Sequence, residues 1–274
     1  MFDAASKNLI GQRESSRRVS TMSEIGKARR LSRLFGKTRT LIIPMEMDLP
    51  LEDFSKVAHA VITGGADAIM TTVGQAKRFS QDLMDIPLVL TISYNFSDQN
   101  YPLECVGEAA RLDASAVKIQ FFGPMKQMPL VQMQKVEAKC ESYGMPLLLE
   151  PIPMSATPEN NGEKLTDPET VRDAVARAVF VGAAVVKTTY TGDTKSFMKV
   201  TSGSPIPVII AGGPRRRSDE ETLQMIRDAV DGSASGGAIG RNITTHHEPM
   251  KITKAIAKIF HENALVEDAL KELE

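Results

Sequence analysis

The sequence predicts a (β/α)8 barrel, an α/β fold also called a TIM barrel, because short apolar runs alternate with helical, charged segments along most of the chain. Connections in such units are short and right-handed, which favours a closed parallel barrel. A doubly wound open sheet is the alternative, but it would rarely need eight strands at such regular spacing. The eight predicted strands are residues 40–44, 68–72, 88–93, 116–121, 146–150, 183–187, 208–211 and 235–239.

The segments between these runs have the composition of helices, and several end at a glycine before the next strand. Residues 1–25, which begin with a stretch rich in serine and arginine, are expected to form an N-terminal arm or an added helix. Residues 26–274 are expected to form one barrel domain. The predicted helices are residues 52–63, 104–111, 128–143, 167–180, 219–231 and 247–259.

Length, charge and cysteine content narrow the class of protein. The 274 residues are 42% hydrophobic, and a barrel domain commonly needs about 250 residues. A net charge of −1 argues against binding to nucleic acid or to an anionic membrane. The two cysteines suit a reducing cytosol. The sequence contains no C-x-x-C motif or Cys/His cluster, and no metal or other cofactor is expected. No apolar stretch approaches the roughly 20 residues of a membrane span, so a cytoplasmic protein is expected.

Lys187 ends the apolar run of the sixth predicted strand. Burial there disfavours the ammonium form, and a neutral amine is a nucleophile for a carbonyl carbon, which is the first step of Schiff-base catalysis. The alternative is a lysine whose charged end reaches the surface at a strand terminus. The residues at the ends of the other strands favour the catalytic role.

Catalytic groups of a barrel lie at the carboxyl ends of its strands. Glu46 follows the first strand and Glu150 ends the fifth, so either carboxylate could move a proton. Lys118, in the fourth strand, would disfavour a second ammonium on Lys187 and hold a substrate oxygen, or it could form an ion pair with Glu150 or Glu46. Tyr190 could donate a proton or pack over the barrel mouth.

Two glycine-rich turns follow the last two strands. Gly212 and Gly213 come after the seventh strand, and Gly240 with Arg241 after the eighth. Such turns let backbone N–H groups approach an anion, and this end of a barrel commonly binds phosphate. The Arg241 guanidinium would add paired hydrogen bonds to the phosphate oxygens. The alternative is that these glycines only form turns.

Three segments, VVKTTYTGD (185–193), PVIIAGGPRRR (207–217) and GGAIGRNI (236–243), resemble the class I aldolases of the DeoC/FbaB-like barrel superfamily. Its members include archaeal-type fructose-bisphosphate aldolase, 2-amino-3,7-dideoxy-heptulosonate synthase and the autoinducer-2-phosphate thiolase, which residues 246–270 resemble most. The resemblance implies that Lys187 forms the Schiff base and that the glycine turns hold a substrate phosphate. It also implies a homo-oligomer, for which a decamer of two stacked rings is one form, acting on a phosphorylated small molecule.

The chain departs from the family at two acid/base positions. The family commonly ends its first strand with Asp-His-Gly, whereas this chain has Glu46, with Asp48 as a second candidate two residues on. The tyrosine that archaeal members place after the fifth strand corresponds here to Ile152. LLLEPI (147–152) and AVKIQ (116–120) instead resemble the tagatose-bisphosphate and sulfofructose-phosphate aldolases, which carry a similar Leu-Glu-Pro element and a lysine in the fourth strand.

Three functional classes are consistent with these residues. The first is a class I aldolase acting on a phosphorylated ketose and giving a product like dihydroxyacetone phosphate. The second is a related Schiff-base transferase, either a thiolase or a transaldolase-like synthase, which would need an acceptor substrate. The third is a barrel that binds a phosphorylated ligand without catalysis. Intact Lys187 and the intact glycine turns favour the first class.

Overall fold

The computed structural model describes residues 21–36, 38–46, 49–92, 103–156 and 162–274. Its parallel strands pair in sequence order, and the last strand pairs with the first to close a barrel. The predicted (β/α)8 fold is therefore confirmed. The strands are β1 Thr40–Pro44, β2 Ala68–Thr72, β3 Leu88–Thr91, β4 Ala116–Gly123, β5 Leu147–Pro153, β6 Val185–Thr189, β7 Val208–Ala211 and β8 Gly236–Ala238.

The six predicted helices are all present, with ends within about three residues of the prediction. Four short helices, Val73–Arg78, Thr194–Thr201, Arg241–Thr244 and Val266–Leu270, are not among the predicted ones. The helix Met22–Leu34 overlaps the predicted N-terminal arm, residues 1–25, only at its first residues, and most of it lies in the predicted barrel domain. No helix in the described part of the chain has the length and apolarity needed to cross a membrane. The α-helices are α1 Met22–Leu34, α2 Phe54–Thr63, α3 Val73–Arg78, α4 Glu104–Arg111, α5 Leu130–Ser142, α6 Pro168–Val181, α7 Thr194–Thr201, α8 Asp219–Asp231, α9 Arg241–Thr244, α10 Pro249–Glu262 and α11 Val266–Leu270.

Local sequence sets the ends of these helices. In α6, the Asp167 side chain accepts a hydrogen bond from the Thr170 amide, Pro168 occupies the first turn, and Gly182 ends the helix with a φ of 100°. Glycine adopts that left-handed conformation without the strain a Cβ would bring, so the chain can turn sharply into β6. The connection from α6 to β6 therefore needs only the residues between Val181 and Val185.

Both faces of the barrel wall are buried, which explains the nearly continuous apolar runs of the strands. Outward-facing side chains such as Leu41, Leu149 and Ile210 pack beneath the helices. Inward-facing side chains form a separate apolar cluster inside the barrel. That inner cluster consists of Leu34, Ile42, Ala68, Met70, Val89, Ala116, Leu148, Val185, Ile209 and Ala238.

Helix α1 covers the amino-terminal end of the barrel. Thr21 and Glu24 form a reciprocal capping box at its start. At its other end, Leu34 is 1% exposed and belongs to the inner cluster, against which Leu31 and Phe35 also pack. In the part of the chain that the structure describes, the barrel interior is therefore closed at this end and opens at the carboxyl ends of the strands.

Strands β4 and β5 are longer than predicted and stay paired from Val117 opposite Leu147 to Gly123 opposite Pro153. They project beyond the neighbouring strands at the carboxyl end of the barrel. The chain then returns along β5, where Lys164 forms an antiparallel bridge with Met154. Residues 162–165, termed the return segment below, thus lie beside the barrel mouth.

Candidate active site

A cavity of about 280 Å³ opens at the carboxyl end of the barrel. Six strands contribute to it through residues within them or just beyond their carboxyl ends, and the return segment contributes one more. This is the end of the barrel at which the sequence predicts the site. The lining residues are Pro44, Glu46, Lys118, Gln120, Phe122, Glu150, Lys164, Lys187, Ala211, Gly212, Gly213, Ala238, Gly240, Arg241 and Thr244.

Lysine and carboxylate groups alternate across the floor of this cavity. Lys187 Nζ lies 2.9 Å from one oxygen of Glu150, and Lys118 Nζ lies 3.0 Å from the other. Lys118 Nζ also lies 3.3 Å from Glu46 Oε1 and donates a hydrogen bond of 2.6 Å to Gln120 Oε1. The structure therefore shows Lys118 in the ion-pair arrangement, with both predicted carboxylates at once.

The spacing of residues along the strands produces this cluster. Lys118, Glu150 and Lys187 each stand two residues after an inward-facing member of the apolar cluster, so all three point into the barrel. Each is less than 10% exposed. Charged groups so little exposed are costly unless paired, which accounts for the direct contacts among them.

The pKa values of two members follow from opposing effects. Burial alone favours the neutral acid of Glu150, but the ammonium groups of Lys187 and Lys118 lower the pKa of that carboxyl below its ordinary value. Burial likewise favours the neutral amine of Lys118, but the Glu150 and Glu46 carboxylates raise the pKa of that lysine. Glu150 is thus held as a carboxylate and Lys118 as an ammonium.

Glu46 lies just beyond β1, where a short hydrogen-bond network holds its backbone and side chain. The Thr91 hydroxyl donates to the Glu46 carboxylate. The Gln75 amide donates to the Met45 carbonyl at 3.2 Å. Asp48, the second candidate, lies outside the described residues.

The predicted phosphate-binding residues also line the cavity, but the two members of the first turn differ in role. The Gly212 amide donates to the Ala238 carbonyl at 3.0 Å, so it belongs to the barrel sheet. A Cβ on Gly212 would lie 3.1 Å from the Cα of Ile239, so this glycine permits close packing between the turns. Gly213 has a φ of 69°, which favours glycine.

Among the described residues, the amides of Gly213 and Gly240 have no hydrogen-bond partner. Both glycines line the cavity together with Arg241, the first residue of α9. These two amides are therefore available as backbone donors to an anion at this side of the mouth. Gly212, in contrast, supplies space rather than a donor.

Asn242 connects the two glycine turns, although the sequence analysis assigns it no role. It is 4% exposed, and its amide nitrogen donates to the carbonyls of Gly212 and Pro214 at 3.1 and 3.3 Å. Its amide oxygen accepts from the Arg216 amide at 2.9 Å and from the Thr222 hydroxyl at 3.3 Å. One buried side chain thus fixes the turn after β7 against the turn after β8.

Comparison with known proteins identifies the family of the chain. The family model for the DeoC/LacD family aldolases matches residues 25–246. The chain belongs to this family of aldolases. A 2-amino-3,7-dideoxy-D-threo-hept-6-ulosonate synthase of Halobacterium salinarum is 33% identical over 262 residues, covering 91% of this chain and 97% of the relative. An uncharacterized aldolase of Saccharolobus solfataricus is 28% identical, covering 91% and 99%.

Solved structures of aldolases share the fold. An archaeal fructose 1,6-bisphosphate aldolase superposes with a TM-score of 0.73 at 21% identity, covering 86% of this chain and 99% of that one. A fructose-bisphosphate aldolase from Slackia heliotrinireducens gives a TM-score of 0.77 at 16% identity, covering 93% and 91%. The barrel is therefore common to enzymes of this kind.

Tyr190 is the one predicted site residue of this aldolase that does not line the cavity. It belongs to the apolar cluster between the barrel wall and the helices, and its ring packs edge-on against Phe197 at 5.4 Å. Burial raises the pKa of Tyr190 to about 12. The side chain points outward because it lies three residues after inward-facing Lys187, an odd number along an extended chain. The described structure thus gives it no contact with the substrate space.

Phe122, Lys164 and Asn242 belong to the candidate site, but the sequence assigns them no role. Gln120 follows Lys118 by two residues, and strand periodicity places it with Lys118 among the residues expected at this end of the barrel. The positions of Lys164 and Asn242 depend on contacts with distant parts of the chain. No local pattern in the sequence indicates those contacts.

Proposed function

We propose that this protein is a class I aldolase that forms a Schiff base through Lys187. Its substrate would be a phosphorylated ketose, and one product would resemble dihydroxyacetone phosphate. The observation that carries the proposal is the buried Lys187 amine, 2.9 Å from Glu150, in a cavity that also contains both glycine turns. A nucleophile, a proton acceptor and an anion site thus converge on one space.

The first step requires Lys187 to lose a proton, and Glu150 Oε1, at 2.9 Å from Lys187 Nζ, would accept it. The amine then adds to the substrate carbonyl to give a carbinolamine, and loss of water from that adduct gives an iminium ion. Lys118, on the other oxygen of Glu150, stabilises the carboxylate between proton transfers. The glycine turns would hold the phosphate and thereby place the carbonyl near Lys187.

Cleavage of the carbon–carbon bond uses the iminium ion as an electron sink. A carboxylate, Glu150 or Glu46, removes the proton of the substrate hydroxyl, the bond breaks, and its electron pair enters the iminium to give an enamine. The aldehyde product leaves, the enamine carbon takes a proton, and water releases the ketone from Lys187. Synthesis follows the same steps in reverse.

A transferase or synthase is the second candidate. It is favoured by the 33% identity to a relative named as a heptulosonate synthase and by the resemblance of residues 246–270 to the thiolase branch. Such an enzyme would form the same Lys187 adduct but release product only when an acceptor is present. Turnover of a phosphorylated ketose without an acceptor separates the two functions.

Borohydride reduction in the presence of dihydroxyacetone phosphate tests the proposed chemistry. Hydride converts the iminium to a stable secondary amine, and peptide mass spectrometry then identifies the modified lysine. We expect the adduct on Lys187 and none in Lys187→Met, which should stay folded because Glu150 keeps its contact with Lys118. An adduct on Lys118 would move the nucleophile to β4. Absence of any adduct with a panel of phosphorylated ketones would contradict the proposal and favour a non-catalytic binding barrel.

A further inference from the structure

Lys118 holds the Gln120 side chain in one orientation. The two residues lie two apart on β4 and so share its inner face. Lys118 Nζ lies 2.6 Å from Gln120 Oε1, and an ammonium group can only donate hydrogen bonds. The atom of the amide that faces Lys118 is therefore the oxygen, and the NH2 group is turned away from it. Lys118 is itself fixed by the carboxylates of Glu46 and Glu150.

The NH2 group of Gln120 is a donor that no protein group uses. It has no hydrogen-bond partner among the residues that the structure describes, and the partly buried side chain lines the cavity. The charges nearby already balance, because the two ammonium groups of the cavity floor contact its two carboxylates. No net positive charge is left to attract an anion to this place. The donor is therefore suited to a neutral acceptor, the hydroxyl or carbonyl oxygen of a substrate.

Gln120, Glu150 and Lys187 stand level with one another on three neighbouring strands. Gln120 lies opposite Glu150 in the pairing of β4 with β5. Leu149 lies opposite Val186 in the pairing of β5 with β6, so the next residues, Glu150 and Lys187, also lie side by side. Neighbouring strands are about 4.8 Å apart, so the backbones of Gln120 and Lys187 are roughly 10 Å apart. The Glu150 carboxylate thus lies between the nucleophile and the amide.

The order of these groups around the barrel matches the order of the atoms in a phosphorylated ketose. The glycine turns follow β7 and β8, whereas Lys187, Glu150 and Gln120 stand on β6, β5 and β4. A phosphate held at the glycine turns and a carbonyl carbon bonded to Lys187 leave the carbons beyond the carbonyl over β5 and β4. One of these carbons carries the hydroxyl that loses its proton when the carbon–carbon bond breaks. That reacting oxygen therefore lies between a carboxylate and an amide donor.

We propose that the Gln120 amide donates a hydrogen bond to this reacting oxygen, which is a hydroxyl in the ketose and the carbonyl oxygen of the aldehyde after cleavage. The inference rests on the proposed function for the Schiff base at Lys187 and the phosphate at the glycine turns. A hydroxyl that accepts from Gln120 directs its own proton to the carboxylate that removes it. As the proton leaves, the N–H group stabilises the negative charge that develops on the oxygen. Gln120 is thus a catalytic residue of the cleavage step and has no part in forming the Schiff base.

Two partial reactions separate this role from the steps at Lys187. With dihydroxyacetone phosphate alone, the enzyme forms the iminium and then the enamine, and a proton on the carbon next to the carbonyl exchanges with deuterium from the solvent. No aldehyde oxygen takes part in this exchange, which NMR follows, so it does not need Gln120. Condensation with an aldehyde does need it. The acceptors for that measurement are glycolaldehyde, glyceraldehyde and glyceraldehyde 3-phosphate.

Two substitutions of Gln120 divide its contacts. Gln120→Met keeps the length of the side chain and removes both polar atoms, whereas Gln120→Glu keeps an acceptor for Lys118 and removes the N–H donor. We expect both to lower kcat/KM for condensation about 10- to 100-fold, as loss of a donor to a developing charge would, with the exchange rate within about twofold. Gln127→Met is the matched control, because Gln127 is an exposed glutamine just beyond β4 that does not line the cavity. It should match the unchanged protein in both reactions.

Failure of this inference can be distinguished from failure of the proposed function. If Gln120→Glu condenses aldehydes as fast as the unchanged protein, Gln120 only holds Lys118 and the assignment is wrong. Equal losses of exchange and condensation would also overturn it, because Gln120 would then act on the Schiff-base lysine through Lys118 and Glu150. Exchange without condensation of any of the three aldehydes in the unchanged protein would support the Schiff base and contradict a site for the aldehyde oxygen. Absence of both exchange and borohydride trapping in the unchanged protein would contradict the proposed function, and the assignment of Gln120 would fall with it.

Discussion

The interior of the barrel differs sharply between its two ends, although the same strands line both. Towards the amino-terminal end, Leu148 and Val185 are fully buried among apolar neighbours and are covered by Leu34 of α1. Two residues further along the same strands, Glu150 and Lys187 form ion pairs in an open cavity. Two residues along each strand, one repeat of its inward and outward alternation, thus separate an apolar layer that stabilises the fold from a layer of charged groups that line the cavity.

This difference has a physical reason. An apolar layer stabilises the barrel by removing carbon from water, at roughly 25 cal/mol for each Å² buried. The attraction within a buried ion pair rarely exceeds the cost of removing its charges from water. The four charged groups are therefore expected to contribute little to the free energy of unfolding. They are readily explained as groups retained for reaction, and the predictions below test this division.

The largest expected effect is on catalysis in Glu150→Gln. The amide keeps the shape of the side chain but cannot accept a proton from Lys187, and a positioned acid/base group is typically worth about 10²–10⁴-fold in rate. We therefore expect kcat for cleavage of a phosphorylated ketose to fall within that range. Glu163→Gln, an exposed glutamate on the return segment, is the control. Equal rates in both variants would remove Glu150 from the mechanism.

A substitution in the apolar layer should lower the free energy of unfolding and leave substrate binding unchanged. Leu34→Ala leaves a void at the covered end of the barrel, and a change of this kind typically costs about 2–5 kcal/mol of unfolding free energy. Denaturant titration measures this loss, and KM should stay within about twofold because the cavity lies at the other end. On the same helix, Ile25 is 50% exposed, and Ile25→Ala should cost less than about 0.5 kcal/mol. A large change in KM for Leu34→Ala would show that the two ends are coupled.

The ionic layer should make stability depend on pH in the acid range. Because its neighbours lower the pKa of Glu150 in the folded protein, the stability this group contributes is complete above its unfolded pKa of about 4.3. That contribution is lost as the pH falls through the lower folded pKa. The difference in urea midpoint between the unchanged protein and Glu150→Gln should therefore be constant from pH 7 to about pH 5 and shrink below about pH 4. A difference that grows as the pH falls from 7 to about 5 would mean that folding raises the pKa of the Glu150 carboxyl instead of lowering it.

The two layers also differ in how far sequence could predict them. The barrel follows from local patterns, and strands β1, β2 and β7 have the predicted ends. Lys187 and Glu150 lie within β6 and β5 and Glu46 lies just beyond β1, where strand periodicity and chain order suffice to bring them together. Tyr190 lies only three residues after Lys187, but the alternation of the extended chain turns its side chain outward, away from the cavity.

Other site residues depend on contacts that no local pattern contains. Lys164 reaches the cavity through its register with Met154, and that register is set by backbone hydrogen bonds across a loop. Asn242 contacts carbonyl groups 28 and 30 residues earlier in the chain. Helix α7 was missed because its first residues follow the polar TTYTGD segment, although Asp193 caps its start. The positions of these residues follow only from the folded barrel, which brings distant parts of the chain together.

The smallest expected effect is on substrate binding in Asn242→Asp, at the junction of the two glycine turns. The substitution keeps the size of the side chain but sets a carboxylate oxygen against the carbonyls of Gly212 and Pro214, where the amide nitrogen now donates. Loss of such buried hydrogen bonds costs about 1–3 kcal/mol, and the turns should shift apart. We expect KM for a phosphorylated ketose to rise about tenfold with kcat within about twofold, while trapping of unphosphorylated dihydroxyacetone is unchanged. If both ketones are affected alike, Asn242 supports the fold in general and does not position the phosphate site. If only the phosphorylated ketone is affected, the junction of the two glycine turns, and not the ionic layer beneath it, determines how tightly the phosphate is bound.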